Sequence, residues 1–309
     1  MTETATRVEP VRTAAVGLVV LLLAWLVTLV ASDLPDIAWR AVHGGTPAGI
    51  TGGRIVALAA LTALCLVARR VRPLWQYGLM LLVLYGAAAL SSIVGGAAWW
   101  RQMFQAPGAS FTVVWLGASL RDLGVAAAVI VVLLAVKGNR QTALLVKGRP
   151  NAPIAPIRWL GIRDGESWRA FQWIFGGVAA AAVLVMVLTS MRPSVAILMR
   201  ALPLIPAVLL LSAINAFTEE VYFRASLLST VTEVVGRRQA LLLNVVLFGL
   251  AHYLYGSPPG MIGFAMTGFL AYLMAKGMLE TRGLLCPWLI HFLADVPIFG
   301  SYALDWVAR

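Results

Sequence analysis

Apolar residues fill nine stretches of this sequence, at about 14–31, 53–68, 74–97, 112–136, 169–190, 200–232, 239–256, 260–277 and 284–304. A helix needs roughly 20 apolar residues to cross a bilayer, and most of the stretches approach or exceed that length. Polar residues are gathered in the connections. The pattern predicts an all-α fold, a polytopic membrane helix bundle of about eight or nine transmembrane helices. The first stretch has an 18-residue core from Ala14 to Ala31, longer than the apolar region of a signal peptide, and Leu29 is too bulky for a cleavage site, so an uncleaved anchor is expected.

The longest connection, about 137–168, holds Gly148, Pro150, Pro153, Pro156 and Gly161 among basic residues. It predicts a boundary between an N-terminal set of helices with its basic cytoplasmic loop (1–165) and a C-terminal bundle (166–309). Trp159, Trp168 and Trp173 flank the following stretch, as amphipathic rings do at headgroup level. With the N-terminus placed in the cytoplasm, sixteen Lys and Arg fall on that side and seven on the other. This satisfies the positive-inside rule and predicts a multi-pass protein of the cell membrane.

Composition sharpens the exclusion. The chain of 309 residues is 61% apolar and 12% charged, half the charge of an ordinary soluble domain, which excludes a soluble enzyme and a disordered chain. Cys65 and Cys286 both lie in apolar stretches and offer no disulfide framework. The net charge of +11 is spread over several turns, so it reports topology and contact with membrane lipids, and no nucleic-acid partner is expected.

Against this background, ionisable residues inside apolar stretches carry the information, since each costs about 2.5–3.5 kcal/mol at mid-span on insertion scales. Glu219, Glu220, Arg224, His252, His291 and Asp295 are six of them, all within the last four stretches. Glu220 and Arg224, four apart, share a helix face and form a structural ion pair. Glu219 is rotated by about 100° and has no such partner, which suits a general base or acid. Phe248 lies one turn from His252 and, with Tyr222, is a candidate pocket wall. His291 and Asp295 are again four apart, so the carboxylate can fix the imidazole or share a water with it.

The succession Glu219-Glu220-x-x-x-Arg224, Phe248-x-x-x-His252, His291-x-x-x-Asp295 on three apolar helices resembles the CPBP family, the CAAX prenyl proteases and bacteriocin-processing (Abi-type) enzymes. The resemblance covers roughly residues 166–305. It implies an intramembrane endopeptidase in which Glu219 activates water, His252 orients that water or shuttles its proton, His291 and Asp295 bind the oxyanion, and Glu220 and Arg224 hold the helix. The family varies between Asn and Asp at the last position. Asp295 is therefore either protonated or an orienter of His291, since an ionised carboxylate cannot donate to an oxyanion. The implied substrate is a membrane-associated peptide or protein, possibly lipidated.

Spacing supports part of this. Glu219 and His252 lie 17 and 16 residues on either side of Gly236, which puts both about 24–25 Å from that turn at 1.5 Å per residue. His291 sits too near its own helix start to match, unless a short, tilted or re-entrant segment occupies about 278–288. No cofactor is expected, with zinc as the rival reading, because two histidines and two carboxylates suit an open zinc site although His-Glu-x-x-His is absent. A serine nucleophile turn and a second intramembrane Asp are also missing. The alternative from another class is a catalytically silent membrane scaffold, an immunity or regulatory protein; a proton-relaying transporter would need paired broken helices in two related halves.

Overall fold

The computed structural model describes residues 17–45, 49–256 and 258–309. They form helices α1 (Leu18–Ala31), α2 (Leu34–His43), α3 (Ile50–Val67), α4 (Trp75–Gly96), α5 (Ala98–Phe104), α6 (Phe111–Lys137), α7 (Trp168–Met191), α8 (Val195–Ala201), α9 (Ile205–Glu219), α10 (Ser226–Val235), α11 (Arg237–Tyr255), α12 (Gly260–Thr281) and α13 (Leu285–Ala308). Arg7 and Arg12, used above in the charge asymmetry, lie outside the described residues. No strand forms among the described residues, and two isolated bridges, Pro153 with Ser167 and Ile157 with Ile162, fold the long connection upon itself.

Over its described residues every apolar stretch is mainly helical, so the chain is an all-α polytopic bundle and an integral membrane protein. Six helical segments are long and apolar enough to span, or seven if α1 and α2, bent by 57° at Ser32–Asp33, count as one. Helices α11 and α13, with 19 and 24 residues, have the length but stand outside that set. Arg237, Arg238, Asn244 and His252 lower the hydropathy of the first, and His291, Asp295 and Pro297 that of the second. Asn244, His291 and Asp295 are buried, so these polar groups turn inward, away from lipid.

Helix ends follow the local chemistry. Ser110 and Ser194 accept backbone N–H groups at the starts of α6 and α8, and Gly44 and Gly138 close α2 and α6 in the left-handed conformation. Inside the bundle α11 lies along α12, and α13 packs on α7 and α9. Gly249 and Gly268 allow the first contact, because a β-carbon there would lie 2.9 Å from the Phe264 ring and 3.3 Å from Val245. One apolar core joins both parts of the chain, from Leu23, Leu58 and Met80 to Leu227, Leu247 and Met278.

The long connection is docked onto the α12–α13 turn. Arg149 N–H donates to the Thr281 carbonyl (2.7 Å) and Leu284 N–H to that of Val146 (2.8 Å). Glu280 collects four donors: Arg237, Lys276, the Trp168 indole (2.8 Å) and Ala155 N–H (3.3 Å). Trp159 and Trp173 are exposed as expected at an interface, but Trp168 is wholly buried by this bond. Gly148 sits at φ +81°, and a β-carbon on it would lie 2.8 Å from the Thr281 carbonyl oxygen. Gly148→Ala should lower stability by about 1–3 kcal/mol, read as a fall in the thermal unfolding midpoint of the purified protein.

Candidate active site

The chain does not continue as an α-helix past Glu219. Residues Glu220–Ala225 form a π-helix between α9 and α10, a departure that is rare and often marks a functional site. Its carbonyls find other donors. Ser226 and Ser229 hydroxyls donate to Tyr222 (2.5 Å) and Ala225 (2.5 Å), and the Asn244 amide of α11 donates to Phe223. Side-chain hydroxyls that compete for backbone carbonyls in this way commonly bend helices.

This segment presents Glu220 to the interior. Glu220 and Arg224 are both fully buried, with Oε1 3.2 Å from Nη1. The guanidinium lies 3.8 Å over the Phe248 ring, a cation–π contact worth about 2 kcal/mol when desolvated. The same Glu220 oxygen is 2.8 Å from His291 Nδ1; since a carboxylate only accepts, Nδ1 donates. The predicted pair is therefore a triad that crosses from the π-helix to α13.

The other imidazole nitrogen faces the remaining acids. His291 Nε2 is 3.5 Å from Glu219 Oε2 and 3.7 Å from Asp295 Oδ1. Asn215, one turn before Glu219, donates from one amide nitrogen to both Glu219 Oε1 (3.3 Å) and Asp295 Oδ2 (3.0 Å). Glu219 is the most accessible of the three acids, its side chain 23% exposed against 0% for Glu220 and 6% for Asp295. Its Oε2 accepts no hydrogen bond.

Glu219, Glu220, Arg224, His291 and Asp295 thus converge, but His252 makes none of these contacts. Its Nδ1 donates to the Phe248 carbonyl of its own helix (2.9 Å). The Phe248 ring stands beside both histidines, at 4.5 Å from His252 and 6.0 Å from His291. Tyr222 packs toward α6 beside Leu84, Val125 and Val129, and its hydroxyl donates to the Asp122 carbonyl. Asp122 and Arg121, side by side in sequence, form no ion pair among the described residues.

No re-entrant segment occupies 278–288: α12 runs to Thr281 and α13 starts at Leu285. The depth mismatch expected for His291 does not hold, since its Nε2 lies 3.5 Å from Glu219 Oε2. Among the described residues, no three His, Cys, Asp or Glu side chains are grouped so as to hold a metal ion. Cys65 and Cys286 are free and buried. Asn215 received no role from the sequence, although a polar residue one turn before Glu219 in an apolar helix was its visible signal.

Fold and site together define a polytopic membrane protein with a cluster of carboxylates around His291 inside its helix bundle. Residues 201–297, which include all three motifs, match the family model of the Type II CAAX prenyl endopeptidase Rce1-like proteins. The match covers less than half of the chain, bears out its resemblance to the CPBP/CAAX proteases and supports a membrane-embedded protease acting on peptides. No curated protein and no solved structure matches the chain.

The two adjacent glutamates should separate in a stability measurement. Glu220→Gln leaves Arg224 and His291 without their buried carboxylate and should cost about 3–5 kcal/mol. Glu219→Gln removes no ion pair closer than 3.5 Å and should cost no more than about 1 kcal/mol. Thermal unfolding of the two purified variants side by side reads the difference.

Proposed function

We propose that this protein is an intramembrane endopeptidase that hydrolyses a peptide bond of a membrane-associated or lipidated, CAAX-like substrate. Glu219 takes a proton from water as the oxygen adds to the scissile carbonyl carbon. As an imidazolium among the carboxylates, His291 meets the oxyanion that forms with its Nε2–H, while Glu220 accepts from Nδ1 and so fixes the ring. Glu219 then returns its proton to the departing amine as the carbon–nitrogen bond breaks. The observation that carries this reading is the position of Glu219, whose unbonded Oε2 lies 3.5 Å from His291 Nε2 in a cluster where the other acids are more deeply buried.

Asn215 positions Glu219 and Asp295 toward each other, and Asp295 orients His291. His252 acts from beyond Phe248: with Nδ1 committed to a backbone carbonyl, its Nε2 is the acceptor for a relayed proton. Glu220, Arg224 and Phe248 form the support. An apolar groove of about 560 Å³ between α7, α8–α9 and α13 begins at Val296 and Pro297, directly after Asp295. It supports approach of a substrate whose chain or lipid lies in the bilayer. The N-terminus is read as cytoplasmic, in the cell membrane.

Cleavage of a fluorogenic lipidated peptide by the purified protein separates this reading from a silent scaffold. Glu219→Gln should reduce kcat by about 10²–10⁴-fold, with the stability kept. Asp295→Asn should retain activity within about tenfold; a loss equal to that of Glu219→Gln would rule out a protonated Asp295 that donates to the oxyanion. Metal analysis of chelator-treated, still active protein is expected to find no stoichiometric zinc, and loss of activity that zinc restores would favour the metal mechanism.

A further inference from the structure

The membrane face that carries the long connection holds a cleft unrelated to the acid–base centre. It has a volume of about 500 Å³ and is lined by the exposed Arg237 and Arg238, the buried Lys276, and Leu241, Leu242 and Tyr272. Arg237 and Ala155 also border a second hollow of about 990 Å³, where Arg149 and Arg282 stand. The sequence scatters these basic residues over separate turns. Packing of α11 along α12 brings Arg237, Arg238 and Lys276 together, and docking of the connection onto the α12–α13 turn adds Arg149 and Arg282.

Charge in the cleft is not balanced. Glu280 is the shared partner of Arg237 and Lys276, and its second oxygen is taken by Trp168 and Ala155. One carboxylate cannot neutralise two cations, and Arg238 is exposed with no carboxylate partner among the described residues. The N-terminus of α11 opens at the same place without a side-chain cap, leaving backbone N–H groups that favour an anion. Below the cations the walls turn apolar. Leu242 is 39% exposed, and the exposed Trp159 lies 6.5 Å from the Tyr272 ring, flanking the cleft at the level where such rings meet headgroups.

We propose that this cleft is a binding site for an anionic phospholipid, its phosphate held by Arg238, Arg237 and the α11 N-terminus and an acyl chain lying along Leu241, Leu242 and Tyr272. The order of polarity selects the ligand. A free anion would satisfy the charges and leave the apolar wall uncovered, whereas a phospholipid presents a phosphate and a hydrocarbon chain in the same sequence from interface to bilayer. The occupant bridges α11 and α12 beside the connection that fixes the start of α13.

Native mass spectrometry of the full-length protein tests this, with phosphatidylglycerol, phosphatidylcholine or inorganic phosphate added to the detergent. The expected result is retention of phosphatidylglycerol over phosphatidylcholine, weakened about fivefold in Arg238→Gln and kept in Arg238→Lys. Thermal unfolding should show phosphatidylglycerol raising the midpoint of the wild type and not of Arg238→Gln, whose own lipid-free midpoint stays at the wild-type value. Equal retention of the two lipids, an Arg238→Gln protein that still retains phosphatidylglycerol, or inorganic phosphate that displaces it as a competitor for the whole site would overturn the assignment.

Discussion

The arrangement depends on one carboxylate that water does not reach. Glu220 accepts from His291 and is paired with Arg224, all three buried, and Arg224 rests on the face of Phe248. Buried charges persist only when they neutralise one another, so these contacts oblige the π-helix, α11 and α13 to meet at one point. Glu219, its neighbour in the chain, is carried to the same point with one oxygen bonded to Asn215 and the other without a hydrogen bond. The position of Glu219 follows from that of Glu220.

The rest of the bundle serves that convergence. The π-helix lets two consecutive glutamates serve different partners, one inward and one toward the accessible side. Its freed carbonyls are taken up by Ser226, Ser229 and Asn244. At the opposite end of α13, the turn after α12 is clamped by the backbone of residues 146–149, and Glu280 ties that connection to α7, α11 and α12. The helix that bears His291 and Asp295 is thus fixed at its start by a segment that, read as sequence, is only a basic loop.

The apolar stretches translated into helices almost residue for residue, because a bilayer forces each backbone group to be bonded within its own segment. The three motifs were likewise visible, since a charge costs so much in an apolar helix that its presence stands out. What sequence spacing missed was the path between them. Straight-helix arithmetic gave His252 and Glu219 a common depth and left His291 apart, whereas the structure joins His291 to Glu219 and places His252 across Phe248. Helix number and length are local properties, but tilt, crossing and π insertions arise from packing against neighbours. Trp168 shows the same limit: its composition fits an interface, and its bond to Glu280, 112 residues away, buries it.

The sequence by itself determined that the chain is a polytopic helix bundle with a handful of ionisable residues inside the membrane, because hydropathy and insertion cost are properties of each segment alone. Only the tertiary structure decided which of those residues meet. It made Glu220 the hub, added Asn215 between Glu219 and Asp295, and gathered scattered basic residues into one cleft. Contacts between residues far apart in the chain depend on how helices cross, and no single segment carries that information.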